Sequence, residues 1–576
     1  MRKLPLSILC FLSIALAIAP PGQGPKPSSS AGLAAFMPTG SLLFLESPDF
    51  AALVHDWENS REKQKWLASD NYQVFSRSRL FLRLQEAQVQ FATAAGTPPN
   101  MALLDSVAGE QSALALYDIG NLEFLYVTRM PSARAMQNVL WTNREKFEPR
   151  KAADTPYYVR TEPEKKRLVA FATSGDYLLL ATREDLMARA LALLSGKSQP
   201  ALQDENWYKS SVSATGPTGD LRMVLNMPLL VKSPHFRSYW IERNITALKP
   251  YSAEVADIHR SPTEIREDRV LLKAESPGVA EPSARANAAI GELLGMVPEQ
   301  GGIYRAWNAP STDSVLDLLA QKILTPHSGT GTPSQSAPGV TLTQGQTGSE
   351  SDLETRIDVP PLQGTAGGPG TEALRKLLNA VPLEAVLEFQ RLQNIGQSPF
   401  IEPHSAVLIR GSANWDSEAA RNALRAAIAD LWTTSQIGVN WVENHEGNAG
   451  YYQLDGLVPL AVAAKGPILI VADSAETMKP LLMNSRITEA GKNMIYAAGF
   501  RHSAERENIV KMMRLVEMPL APQSGGPPDQ SAREPLFFSE NLASLSRSLN
   551  SVESESLVVE DRGSQLRQTV TYRLKK

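Results

Sequence analysis

Short β-prone runs alternate along this chain with stretches of helical spacing. Ser112 to Asp118 (SALALYD) and Leu122 to Thr128 (LEFLYVT), joined at Ile119-Gly120-Asn121, predict a hairpin. Helical spacing from Ser132 to Phe147 follows, then strands at Tyr157 to Thr161, Leu168 to Ala172 and Tyr177 to Ala181. The last two are joined by the tight turn Ser174-Gly175-Asp176, and a helix from Arg183 to Ser195 ends at Gly196.

The same order recurs further along, which predicts an internal duplication. Ser405 to Ile409 answers Ser112 to Leu116, a helix from Ser417 to Trp432 answers the one from Ser132, and Tyr451-Tyr452 answers Tyr157-Tyr158. Gly466 to Ala472 answers Gly175 to Ala181, each followed by an acid-bearing helix with a methionine, Met478 and Met187. Upstream, the strand Leu42 to Glu46 and helix Phe50 to Trp57 match Ile303 to Trp307 and a helix from Asp313 to Leu324. Downstream, Leu221 to Leu225 matches Met494 to Ala498, and each copy closes in a hairpin, Glu254 to Lys273 and Ser556 to Leu574. The expected fold is α+β, two tandem copies of one unit of mainly antiparallel sheet with packed helices, because short turns between sequential strands favour antiparallel pairing. The copies span residues 35–275 and 295–575, joined by a connecting segment over 276–294.

Composition adds linkers and a destination. Residues 20–34 and 327–370 are rich in Gly, Ser, Thr and Pro, as is Pro519 to Pro535; such stretches bury too little to offset their ordering entropy and read as disordered linkers. Residues 1–19 place Arg2 and Lys3 before an apolar run and so read as a signal peptide, with cleavage after Ala17, or else as an N-terminal anchor. The expected location is therefore periplasmic, or anchored in the inner membrane facing the periplasm. Membrane contact is then expected only through that segment, if it is not cleaved.

Cys10 is the single cysteine, so a mature chain has no disulfide and no thiolate chemistry. The formal charge of −4, with acids and bases interspersed, argues against nucleic acid as a partner.

Chemical motifs are sparse. Ser60-Arg61-Glu62-Lys63 and Ser69-Asp70-Asn71 echo serine acyl-transfer motifs, but they lie too close together and read as surface helix. Gly196-Lys197-Ser198 follows a helix instead of opening one, which makes it a C-cap and not a phosphate loop. The seven histidines are scattered without a local pair, so neither a metal nor another cofactor is expected; His445 lies at a polar hairpin tip. The binding candidates are Phe236, Arg237, Tyr239, Trp240 and Arg243, because clustered aromatics and arginines suit hot spots and cation–π contacts; a core-facing amphipathic helix is the alternative reading. The comparable place in the second copy holds only Glu505-Arg506-Glu507-Asn508, and Arg129 and Arg222 likewise lack counterparts there, which assigns a site to the first copy.

The signal, the Met37 to Glu46 opening, Ala113 to Gly120 and the Phe-Arg-Ser-Tyr-Trp block from Phe236 together resemble a family of large exported bacterial proteins known as a domain of unknown function. The resemblance implies a bacterial envelope setting and no particular activity. The reading these features support is a non-enzymatic binding or assembly module with an envelope protein as partner. The alternatives are a hydrolase whose carboxylates, or His and carboxylate, converge only in the fold, and a structural or chaperone-like protein that holds an extended segment.

Overall fold

The computed structural model describes residues 32–60, 63–64, 67, 72, 76–77, 79–97, 101–162, 167–197, 199–234, 248–274, 284–299, 301–324, 371–394, 401–431, 440–455, 459–484, 486, 493–517 and 551–575. The signal and nearly all of the tether, the tract 327–370, the stretch 519–535 and the block from Phe236 to Asn244 lie outside these. Two compact units emerge, one of residues 1–282 with 509–576, the other of 283–508.

The first unit holds strands β1 (Leu43–Ser47), β2 (Ser112–Asp118), β3 (Glu123–Arg129), β4 (Glu148–Ala152), β5 (Thr155–Glu162), β6 (Arg167–Ser174), β7 (Tyr177–Ala181), β8 (Leu221–Asn226), β9 (Tyr251–Arg260) and β10 (Glu264–Lys273). The second holds β11 (Ile303–Asn308), β12 (Leu383–Asn394), β13 (Ile401–Gly411), β14 (Asn440–Glu446), β15 (Ala449–Asp455), β16 (Leu460–Lys465), β17 (Ile468–Ala472) and β18 (Met494–Arg501). The closing hairpin, β19 (Val552–Asp561) and β20 (Gln565–Leu574), returns to the first unit.

In the first unit the antiparallel order is β4-β5-β6-β7-β3-β2-β1-β8-β9-β10-β20-β19. Period-2 alternation sorts its side chains: Ala113, Leu125, Val127, Ala170 and Leu179 fill one apolar cluster, while Tyr126, Val169, Phe171, Leu178 and Leu180 fill another. Helix α1 (Phe50–Asn59) is capped by Asp49, whose side chain accepts from the Ala52 amide. Helices α2 (Arg79–Ala95) and α3 (Met101–Val107) add Ala94, Ala95 and Val107 to the second cluster, and α4 (Glu184–Leu194) adds Leu186, Met187 and Leu191 to the first. Covered on both faces, β7 (YLLLA) can be apolar almost throughout.

The second unit orders its strands β14-β15-β16-β17-β13-β12-β11-β18, all antiparallel. On one face α5 (Thr312–Leu319), α6 (Thr371–Asn379) and α7 (Ser417–Leu431) bury Val315, Leu374, Leu378 and Leu424 against Val386, Val407, Ile409 and Val471. Helices α8 (Ala475–Met483) and α9 (His502–Glu517) open at the end of the sheet where the cleft described below lies.

Four expectations change. Ser132 to Phe147 is three short turns, 132–135, 139–142 and 144–146, because Asn138 breaks the first and caps the second through the Trp141 amide, 2.8 Å away. Pro131 stands at the start of the first turn, and the Ser132 hydroxyl donates to the Gly175 carbonyl. Ser405 to Ile409 does not occupy the sheet position of Ser112 to Leu116: β2 lies between β1 and β3, whereas β13 lies between β12 and β17, the place β3 takes in its own sheet. Both strands face two apolar layers, so their compositions converge on the same pattern. The helix from Asp313 ends at Leu319 and continues as a wider π-turn, 320–324. Residues 284–296, within and just past the connecting segment, form a helix packed on β11, β12 and β18.

Candidate binding cleft

The aromatic-arginine candidates Phe236, Arg237, Tyr239, Trp240 and Arg243 lie outside the described residues. Arg222 is resolved, and its role is internal. Its Nε and Nη2 each donate at 2.8 Å to one oxygen of Asp257, directly opposite on β9, and the pair is almost fully buried. Asp257 also accepts the Gly219 amide at 3.2 Å, and Arg222 Nη2 reaches the Gly216 carbonyl at 2.8 Å. Glu46 faces Arg222 from β1; burial raises its carboxyl above the usual range, and Arg222 pulls it back. A bidentate guanidinium with both carboxylate oxygens engaged is a lock between strands and offers no ligand contact. Arg129 is held in β3 by backbone bonds to Glu110 and Gln111.

Ser60, read as part of an acyl-transfer motif, is buried, with its hydroxyl donating to the Trp57 carbonyl and accepting the Lys63 amide. The Lys63 ammonium pairs with Glu58. Among the described residues no base is hydrogen-bonded to that hydroxyl. Gly196, at φ +76°, follows α4 and its amide bonds back to Leu193, as a C-cap requires.

The second unit contains a cleft of about 410 Å³, walled by Pro298, Phe389, Leu392 and Pro480. It exists because β11 pairs with β12 only as far as Gln390, leaving β12 to run on without that neighbour. The first two turns of α9 substitute for the missing strand. Glu505 accepts the Gly302 amide at 3.0 Å and the Leu392 amide at 2.9 Å, and the Asn508 side-chain amide donates to the Leu392 carbonyl at 3.0 Å. Burial raises the Glu505 carboxyl, and the two backbone donors offset part of that. Gly302 sits at φ +106°, where a Cβ would lie 2.3 Å from the Phe389 ring, so only glycine fits beneath Glu505.

Arg391 and Gln393 flank that strut along β12 and are exposed at the cleft. Glu476 and Thr477 come from the first turn of α8. Neither Arg391 nor Glu476 has an ion-pair partner among the described residues. Pro480, which has no N–H, supplies no helical bond for the Glu476 carbonyl one turn earlier.

Behind this wall the Thr477 hydroxyl donates to Asp473 at 3.0 Å, and Asp473 accepts the Ser405 amide at 2.7 Å and stands 3.5 Å from His404 Nδ1. The hydrogen bond to Asp473 raises the His404 imidazole above its usual range. Hydroxyl, carboxylate and imidazole are present, but in an order that does not activate a nucleophile, because the carboxylate stands between the other two. Thr477 is also buried.

Among the described residues no group of three or more His, Cys, Asp or Glu is placed to hold a metal, and no helix is long and apolar enough to cross a membrane. Strand β4, paired only with β5 among the described pairings, carries Pro149, Arg150 and Lys151, a composition that resists strand addition.

No protein-family model and no curated protein matches the chain. Solved structures of TP0453 are similar to it at 13% identity. Crystal form IV covers 42% of this chain and 81% of its own at a TM-score of 0.23, and crystal form III covers 44% and 84% at 0.24. A likeness this slight transfers neither fold nor role.

Proposed function

We propose that the protein is an exported cell-envelope component acting as a non-enzymatic binding or assembly module, built from two copies of one unit. The observation that carries the reading is the division of labour in the cleft. Its buried acid, Glu505, is consumed by two backbone amides, while its exposed charges, Arg391 and Glu476, form no ion pair among the described residues, Arg391 acting on Glu505 only through its charge. A catalytic site needs a poised nucleophile, base or acid, and a binding site needs available charges beside apolar walls. The duplication is supported by the strand order β4-β5-β6-β7-β3-β2-β1-β8, which matches β14-β15-β16-β17-β13-β12-β11-β18 strand for strand. Arg2 and Lys3 ahead of the apolar run from Leu4 to Ala19 support export.

The test is mild crosslinking and recovery of the full chain from native bacterial envelopes, alongside turnover assays on a panel of esterase, glycosidase and peptidase substrates. A reproducible envelope partner with no turnover is the expected result. Turnover without a partner overturns the reading.

A further inference from the structure

We infer that the edge of β10 which receives β20 also fits β10 of a second copy of this chain, antiparallel across a two-fold axis at Asp268, and that Asp268 reserves this edge for the chain's own closing hairpin. This goes beyond the binding-module reading and does not rest on it. The junction is already two-fold in form. Thr569 lies opposite Asp268 and 301 residues after it, and the hairpins β9–β10 and β19–β20 have all four strand bounds at that same spacing. The bonds that close the ladder come as mates about that point: the Lys273 amide donates to the Ser564 carbonyl at 2.9 Å, and the Leu574 amide to the Thr263 carbonyl at 2.9 Å. A surface that meets its like in this way has the geometry of a two-fold dimer interface.

Strand β10 also complements itself. In the chain's own ladder the buried Glu267 and Arg269, ion-paired along β10, face Val570 and Gln568. The Gln568 side chain is buried, and its Nε2 has no hydrogen-bond partner among the described residues. With a second β10 in the place of β20 and Asp268 still at the centre, Glu267 stands opposite Arg269 twice and Ile265 opposite Leu271 twice. Opposite charges and aliphatic pairs directly across a ladder are stabilising. One position objects, because Asp268 then meets Asp268. Arg266, 3.0 Å away on the same strand, serves its own carboxylate in either pairing. What changes is the far side: the Thr569 hydroxyl, which donates to Asp268 at 2.7 Å, is replaced by a second acid at a position only 9% exposed. Like charges facing each other there exclude the second copy.

The experiment uses the full-length chain carrying Cys10→Ala, so that no native thiol competes. Asp268→Asn keeps the size of the side chain and removes its charge. By sedimentation equilibrium it should self-associate on the order of a hundredfold more tightly than its parent, the worth of one relieved like-charge contact. Near-UV dichroism checks that it is folded. A mixture of Asp268→Cys and Thr569→Cys chains under mild oxidation gives a second reading, with interchain disulfides located by mass spectrometry. A link from position 268 to position 268 is expected. An Asn variant that associates no more than its parent overturns the inference. So does an interchain link from 268 to 569, which would mean that chains exchange the closing hairpin instead. If Asp268→Asn fails to fold, the disulfide decides alone: a 268-to-268 link supports the interface and its absence overturns it.

Discussion

Replacing Arg222 by methionine should destabilise the first unit by about 3–5 kcal/mol, the cost of stranding a buried charge whose partner has been removed. The magnitude follows from burial: Arg222 is 2% exposed and Asp257 3%, so neither can recover hydration when the other goes. Arg222→Met leaves Asp257 and the facing Glu46 as carboxylates without a cation, and Asp257→Leu leaves the guanidinium with the Gly216 carbonyl and Glu46. The double variant Arg222→Met with Asp257→Leu removes both charges and should cost less than either single, giving a coupling of several kcal/mol. The pH dependence separates this from lost packing. In Arg222→Met the uncompensated carboxyls are raised, and a raised acid contributes stability fully below its ordinary value near 4 and loses it as pH rises through the folded value. The defect should therefore shrink as pH falls from 7 towards 4. Urea unfolding of the three variants and the parent, compared by midpoint at constant slope, measures this. If the double variant costs the sum of the singles, or if the Arg222→Met defect is flat with pH, the pair is not the lock described here.

Three further outcomes are expected. Glu254, 4% exposed on β9, has its carboxyl pushed up to about 7 from 4.5, mainly by burial, with Arg269 opposing and Glu267 adding to the rise. Its stabilising contribution is complete below 4.5 and lost by 7, a decline of about 3 kcal/mol that urea midpoints across this window should show and Glu254→Gln should abolish. Gly302→Ala should cost roughly 2–4 kcal/mol through positive φ and collision with Phe389, whereas Gly301→Ala stays within about 0.5, read from the same midpoints. The His404 imidazole, raised by its bond to Asp473, stabilises fully below 6.5 and progressively less above it, so NMR titration should find it higher than 6.5 and Asp473→Asn should lower it.

The hairpins β2–β3, β9–β10 and β19–β20 were legible because each joins apolar, β-prone runs through turn residues such as Gly120 or Ser261-Pro262. Strand β12 was not, since LEAVLEFQRLQN is made largely of good helix formers and is a strand only because β11 and β13 flank it. The cleft is not legible in the sequence for a related reason. Glu505 and Asn508 stood in view as an unremarkable polar stretch, and their meaning comes from Gly302 and Leu392, more than 100 residues away. Arg222 stands out in the sequence for lacking a counterpart, but its partner Asp257 lies 35 residues on, and only strand register joins them.

The pairing of β10 with β20 sets an order in time. Glu264 to Leu272 zips against Gln565 to Arg573, secured by Lys273 to Asp561 at 2.8 Å and by Thr569 to Asp268 at 2.7 Å. Chain synthesis runs from the N-terminus, so β10 is made nearly 300 residues before the strand that completes its edge, and the first unit waits on the last described strands. Closing so long a loop is slow, and in the interval β10 offers a nine-residue edge to any passing chain. A truncation that removes β19 and β20 would therefore fail first by aggregation during biogenesis.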